Sequence, residues 1–423
     1  MKSSDKSKAL RCEGNDFYKK RKFFDALLKY NESLCFAENG TENAGHAYAN
    51  RSAIYLEMKL FDECLNNIQL AFSHNYPEKN FNVLKKREEK CREMMKNQSK
   101  KKPARDDDFF KLSHPQNKKV PTIVDCISLQ VNKKYGRHIV SNRSLVVGDI
   151  IAIDEPFFKI IKADSRYDTC HDNNVYQRCS SCLMENNLNL FPCENCTKAM
   201  FCSSSCKEEF NHQYECYIFD DLLKSGIKHI VLRIFLEGIS YFNGDVKELE
   251  AFIESNSKKN FNIFNIKSTG LEKKKQIFLS TLSLAADDEN DTDEYEKIFK
   301  STKKLAIMWK NHEKFIKNLL KKLISVGNKD IHGIGKWSIQ KNENCTKIPA
   351  QCHQLIGNAC YLLSSLLNHS CAPNVRRLNV DNKIILFCLR PIKAGDQLFD
   401  SYRQNFNVQP KNLRQEHLLK DYG

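Results

Sequence analysis

The sequence predicts an α+β protein: a helical N-terminal part, then a strand-rich part interrupted by a cysteine cluster and a second helical stretch. Three observations predict it. Residues 7–96 place apolar side chains at three-to-four spacing in paired segments. Short β-patterned runs occur from 121 onward and return near the C-terminal end. Between them, residues 179–216 hold seven cysteines and one ligand-spaced histidine.

The chain has 423 residues, so two to four domains are expected at roughly 150 residues per domain. A hydrophobic share of 41% is enough for real cores. No run of about 18 uncharged apolar residues is present, so no membrane span is expected. The opening MKSSDKSKALRCEGND lacks the apolar centre of a secretion signal. Eighteen cysteines in such a chain belong in a reducing compartment, cytoplasm and/or nucleus, as metal ligands or buried thiols rather than disulfides. The formal charge of +15 fits the solvated faces of a Lys- and Asn-rich chain. No aromatic-interleaved basic stripe accompanies it, so nucleic acid is not expected as the primary partner.

In the N-terminal part, "GNDFYKKRKFFDALLKYNESL" recurs loosely as "RSAIYLEMKLFDECLNNIQLAF". Gly14, Phe17, Phe23, Ala26 and Tyr30 match Ser52, Tyr55, Phe61, Cys64 and Ile68, at an offset of 38 residues. That is close to the ~34 of a tetratricopeptide (TPR) repeat, with small residues where two helices approach and aromatics between. Residues 1–97 are therefore assigned to TPR-like helical repeats, with a third helix at about 79–96. Two copies and a helix are near the minimum for a solenoid, so this part is expected to lean on the rest of the protein. Residues 98–120, charged and aperiodic, are assigned to a linker. Strands are expected from 121 to 178, with a Gly-Asp turn at 148–149. From about 217 to 328 the reading is helical, within an insert bounded at 217–350. A helix is expected at about 352–365, then strands at "VRRLNV", "KIILFCLR" and "DQLFDSY", and a closing helix at about 410–421.

The cysteine cluster runs Cys179-x2-Cys182, Cys193-x2-Cys196, Cys202-x3-Cys206, His212-x3-Cys216. Four ligand pairs suffice for two tetrahedral zinc ions. Two thiolates of one tight turn reach one metal at x2 spacing, and x3 spacing suits one turn of helix. The segment has almost no apolar core, so metal must supply much of its folding energy. With all eight positions filled, the zincs are expected to be structural.

The pattern closely resembles the MYND finger. By that resemblance Cys179, Cys182, Cys202 and Cys206 hold one ion, and Cys193, Cys196, His212 and Cys216 hold the other. MYND fingers generally bind partner peptides. A finger at 179–216 between "YGRHIVSNRSLVVGDIIAIDEPFF" and "YLLSSLLNHSCAPNV" resembles the SET and MYND domain (SMYD) protein-lysine methyltransferases, in their TPR-bearing branch. The resemblance implies a β-rich SET domain split into 121–178 and 351–423 by the finger and a helical insert at 217–350. It implies methyl transfer from S-adenosylmethionine to a lysine of a histone or non-histone protein, by a monomer.

Carried over onto this sequence, Tyr135, Gly136, Arg137, Asn368 and His369 match segments that approach the cofactor, and Tyr422 the aromatic near it. Asn368 offers an amide acceptor to the methionine ammonium; His369 acts mainly through backbone and packing. Tyr402 in "FDSY" matches the catalytic tyrosine, and Tyr361 is a second channel candidate. His138 replaces the family's usual glycine and is read as structural. The family continues into a Cys-x-Cys-x2-Cys segment that joins Cys371 around a third zinc. This sequence stops at Gly423, so the expectation is either a product truncated before that segment or a chain in which the third zinc and part of the channel wall are absent; both put catalysis in question and weaken cofactor binding. The alternative that follows is a catalytically impaired adaptor recruiting protein partners, for example in transcriptional regulation. Arg11, Asn15, Asn50 and Arg87 roughly match positions that hold a peptide carboxylate in other TPR proteins, so the TPR groove is a candidate peptide site.

Overall fold

The computed structural model describes residues 1–96, 109–162, 174–209, 212–257, 262–266, 269–285, 291–340, 350–402 and 409–422. In chain order the elements begin with α1 (Ser4–Lys19), α2 (Phe23–Phe36), α3 (Glu42–Glu57), α4 (Phe61–Ser73) and α5 (Phe81–Lys96). Strands β1 (Ile127–Asn132), β2 (Gly136–Ser141), β3 (Ile150–Asp154) and β4 (Phe158–Ile161) follow. Next come α6 (Asn174–Gln177), β5 (Phe191–Pro192), β6 (Met200–Phe201), α7 (Ser204–Glu209), α8 (His212–Glu215) and α9 (Phe219–Lys224). The helices α10 (Ile227–Ser240), α11 (Val246–Asn256), α12 (Gly270–Leu282), α13 (Asp293–Lys300) and α14 (Lys303–Lys329) lead into β7 (Ile331–Gln340) and β8 (Ala350–Cys360). The chain ends with β9 (Asn368–His369), β10 (Val375–Val380), β11 (Lys383–Cys388), β12 (Phe399–Asp400) and α15 (Lys411–Tyr422). No helix among the described residues is long and apolar enough to cross a membrane.

The chain divides into two compact units: Met1–Pro103 with Thr169–Asp221, and Ala104–Asp168 with Leu222–Gly423. The cysteine cluster therefore groups with the N-terminal helices.

In the first unit, α1 packs on α2, α3 on α4, and α5 on α4 and α3. The repeated small residues explain the pairing. A Cβ at Gly14 would stand 2.5 Å from the Tyr30 ring, so only glycine lets α1 approach α2 here. Ala26, Tyr30, Phe61, Cys64 and Ile68 are all buried in this core. The loop before β5 completes it. Leu183, Asn186, Asn187 and Leu188 take left-handed backbone, and Leu188 lies in the helical core. Asn31 donates to the Tyr176 and Leu188 carbonyls at 2.9 and 3.0 Å. The buried Arg51 guanidinium donates to Asn31 Oδ1, the Leu190 carbonyl and Asn189 Oδ1 at 2.9, 2.5 and 2.7 Å. Tyr55 donates to the Asn187 carbonyl at 3.0 Å. This is the support that two repeats and a helix lack by themselves.

The second unit holds small sheets: a β1–β2 hairpin, β10–β11–β3, β4–β8–β7, and the parallel pair β12–β9. Helix α10 is buried nearly all round, packing on α14 and β4. A Cβ at Gly238 would meet the Phe278 ring at 2.5 Å, fixing the close approach of α12. Residues 113–117, within the expected linker, are tied down instead: Ser113 N–H donates to the Ile150 carbonyl at 3.0 Å, and Asp125 N–H to that of Pro115 at 2.8 Å. Residues 97–108 lie outside the described residues.

Two expectations are corrected. The helix expected at about 352–365 is strand β8, and the end of the insert bounded at 350, beyond the helical reading to about 328, is strand β7. The two pair antiparallel from Ile331↔Cys360 to Gln340↔Ala350, with a register shift at Ile334/Gly335. Leu355, Ile356, Ala359 and Cys360 recur at helical spacing. The partner strand overrode that periodicity by taking the backbone hydrogen bonds along the hairpin. The strand expected over "DQLFDSY" is reduced to β12, two residues long.

Candidate active site and metal centres

In the second unit β9 and β12 pair in parallel, with Asn368 opposite Phe399 and His369 opposite Asp400. The β1–β2 turn comes to the same place. Asn132 Oδ1 accepts the Lys134 and Tyr135 N–H groups at 3.0 and 2.8 Å, curling the chain so that Gly136 stands at φ +61°. That conformation favours glycine, and nothing lies within 4 Å of where its Cβ would be. The Tyr135 carbonyl then accepts a hydrogen bond from Asn368 Nδ2 at 2.9 Å. Two segments 233 positions apart in sequence thus meet, leaving Asn368 Oδ1 as an acceptor.

His369 bridges to the next segment. Its Nδ1 accepts the Tyr402 N–H at 2.9 Å, and Nε2 lies 3.1 Å from Cys371 Sγ. Burial, aided by Arg414, lowers its pKa and favours the neutral ring that this acceptor role needs. The Tyr402 hydroxyl donates to the Leu367 carbonyl at 2.7 Å. A phenol has one proton, so with it committed the oxygen presents acceptor lone pairs.

Other candidates stand differently. Arg137 sends its guanidinium to Ser283 Oγ at 3.2 Å, so only its backbone accompanies Tyr135 and Gly136. Tyr361 is fully buried and donates to the Asn382 carbonyl at 2.6 Å. Its hydroxyl is spent there, and burial drives its pKa up. His138 is buried, with Nδ1 2.9 Å from the Gly136 carbonyl. Tyr422 ends α15; its side chain lies outside the described residues. Sequence reasoning missed Asp154. This buried carboxylate on β3 accepts Ser364 N–H and Oγ–H at 2.9 and 2.8 Å, holding the chain just before Asn368. A lone Asp ending a strand carries no spacing signal, so nothing in the sequence marked it.

In the first unit, two groups of four donors gather: Cys179, Cys182, Cys202 and Cys206, and Cys193, Cys196, His212 and Cys216. Within each group the donor atoms lie within 4.8 Å of one another. Cys182 and Cys202 are 3.6 Å apart, as are Cys202 and Cys206; Cys193 and Cys216 are 3.7 Å apart. A tetrahedron with Zn–S bonds of 2.3 Å has edges of about 3.8 Å, so each quartet could hold one such ion. Within each quartet the thiols compete for protons: neighbouring thiols lower the pKa of Cys179 and Cys193 and raise those of Cys182, Cys202 and Cys216, the crowding of like groups that a bound cation would relieve. The His212 ring is set edge-on against Phe219, with centroids 4.8 Å apart.

The candidate groove residues largely serve the helices themselves. Asn15 Oδ1 accepts from Tyr30 and Asn50, both at 2.8 Å. Arg87 donates to the Ala49 carbonyl and Ser52 Oγ at 2.6 and 2.7 Å. Arg11 Nε is buried without a hydrogen-bond partner.

Comparison with known proteins agrees with this architecture. The SET domain family profile matches residues 16–403. Protein-lysine N-methyltransferase SMYD4 of Danio rerio is 25% identical over 246 residues, covering 56% of this chain and 32% of its own. The Gallus gallus protein of that name is 22% identical, covering 93% of this chain and 67% of its own. A SET and MYND domain-containing protein of Dictyostelium discoideum is 26% identical, covering 68% and 56%. The chain spans about a third of the length of the Danio rerio relative. The chain belongs to the SET-domain family, and within it to the SET and MYND domain (SMYD) type.

Proposed function

We propose that this protein is an S-adenosylmethionine-dependent protein-lysine N-methyltransferase, acting on a lysine of a histone or non-histone protein. The observation that carries the reading is the junction of Tyr135, Asn368, His369 and Tyr402. The Tyr135–Gly136 turn and Asn368 would hold S-adenosylmethionine: the open face of Gly136 leaves room, and Asn368 Oδ1 suits an ammonium. When bound, the cofactor supplies an electrophilic sulfonium methyl. Methyl transfer to lysine then asks the protein for a neutral amine, in-line alignment and a dry channel more than for a strong base. The Tyr402 oxygen, with its proton on Leu367, accepts from the substrate amine and orients it. His369 holds the Tyr402 backbone in place. Tyr361 and Arg137 spend their polar ends on Asn382 and Ser283 and are assigned positioning rather than contact with the reacting groups.

The eight sulfur and imidazole donors are assigned to two structural zinc ions. The TPR-like helices and MYND-like finger are assigned to recruitment of peptide partners, in the cytoplasm and/or nucleus. The test is direct. Zinc-replete protein is incubated with methyl-tritiated S-adenosylmethionine, core histones and a lysine-scanning peptide library. Label appearing in lysine is the expected result; no label on any lysine, with cofactor binding absent by calorimetry, overturns the assignment.

A further inference from the structure

Arg377 stands on β10, and its guanidinium joins three elements that converge on the segment leading to Tyr402. Its Nε is ion-paired with the buried Asp400 of β12 at 2.5 Å. Nη1 lies 2.6 Å from His332 Nδ1 on β7, and Nη2 reaches toward the Ser401 carbonyl at 3.5 Å. A guanidinium only donates, so His332 Nδ1 accepts, and the ring proton sits on Nε2, 3.4 Å from Ser365 Oγ. Asp400 in turn accepts the Ser401 N–H on Oδ1 at 2.7 Å. Its carbonyl accepts the Ser370 N–H at 2.8 Å. The next N–H along the chain is that of Tyr402, given to His369. None of these bonds involves the Asn368–Tyr135 contact.

We infer that Arg377 is a positioning residue: through Asp400 and Ser401 it sets where the Tyr402 phenol stands, taking its own bearing from His332 on the β7–β8 hairpin. This rests on the reading of Tyr402 as the group that orients the substrate amine. The three acceptors suit a planar fork. A lysine there keeps the charge but cannot serve three directions at once. Burial raises the Asp400 pKa and Arg377 opposes that, so the guanidinium favours the charged form of its partner. A displacement of about 1 Å in a reacting geometry costs on the order of 10²-fold in rate.

The experiment uses the full chain, zinc-replete, with 3-fluorotyrosine incorporated. The Tyr402 fluorine resonance is assigned by its loss in Tyr402→Phe. Arg377→Lys is the main variant and Asp400→Asn the gentler one. Both are expected to shift the Tyr402 resonance. Both should lower kcat on the lysine peptides, Arg377→Lys by about 10-fold to 10²-fold, with S-adenosylmethionine affinity unchanged by calorimetry. A Tyr402 resonance unmoved in both variants overturns the inference. So does a kcat loss matched by an equal loss of cofactor affinity, which would mean general collapse of the site. If the unaltered protein methylates no lysine, the functional reading falls, and the fluorine shift still decides the positioning role by itself.

Discussion

At Tyr402 one hydroxyl has one proton and an oxygen whose direction is set by a backbone carbonyl. On the proposed reading, removing that oxygen should remove substrate orientation while leaving the junction of Tyr135, Gly136 and Asn368, proposed to hold the cofactor, intact. Tyr402→Phe is therefore expected to lower kcat on the order of 10²-fold, with calorimetric affinity for S-adenosylmethionine unchanged; equal turnover in the variant would strip Tyr402 of its role. Asp154 makes a different prediction. Burial lifts its pKa from 3.8 to about 6, against the opposing bonds from Ser364. The native state thus holds a proton that the unfolded chain has released, and stability falls as pH rises from about 4 through 6. At 1.36 kcal/mol per unit, the loss is about 3 kcal/mol when complete. Asp154→Asn keeps an acceptor for Ser364 and cannot ionise. Its stability relative to the unaltered protein, measured by urea unfolding, should improve between pH 5 and pH 8; a pH-independent difference would refute the account. The cysteine positions were legible because a metal needs several donors at fixed reach. Asp154 and Arg377 were not, because each acts through partners far away in sequence.

At the scale of elements, the informative pieces are α3 and the loop before β5. Arg51 is a buried cation that satisfies acceptors 20, 138 and 139 positions away. Asn67 adds a bond to the same Asn189 Oδ1 at 2.8 Å. Replacing Arg51 by alanine strands these acceptors in a low-dielectric core, where an unmade bond costs about 1–3 kcal/mol. Arg51→Ala is expected to destabilise the first unit by on the order of 3 kcal/mol, read as a lower urea midpoint of its transition. A midpoint equal to that of the unaltered protein would show that the loop is not held this way. The repeat itself was readable: Gly14, Ala26 and Tyr30 against Ser52, Cys64 and Ile68 are the buried positions of two similar helix pairs. The β7–β8 hairpin was not, since a strand whose apolar residues fall at three-to-four spacing declares itself only once its partner is present.

At the scale of the whole molecule, the two quartets and the helical core share one unit. Structural zinc supplies about 10–16 kcal/mol in small finger peptides. Here the loop between Cys182 and Cys193 also places Leu188 in the helical core. Metal removal is therefore expected to weaken α2, α3 and α4 as well as the finger. Native mass spectrometry should find two zinc ions. A chelator should lower the melting temperature of the first unit by more than about 10 °C, and hydrogen exchange should report lost protection in α3. Protection in α3 that survives zinc release would separate the finger from the helices energetically.

The order of side chains was enough to determine the chemistry available: eight soft donors at metal spacing, a repeated helical pattern, and an amide-imidazole-thiol phrase fit for a polar ligand. Those properties are local, because spacing along the chain limits what one turn of helix or one tight turn can bring together. Tertiary structure decided which distant groups share a partner. It joined the finger to the repeats through Arg51, set Asn368 on the Tyr135 carbonyl, and tied Asp400 to Arg377. The physical reason is that buried polar groups must find hydrogen-bond partners wherever the fold supplies them, and no local pattern records where that will be.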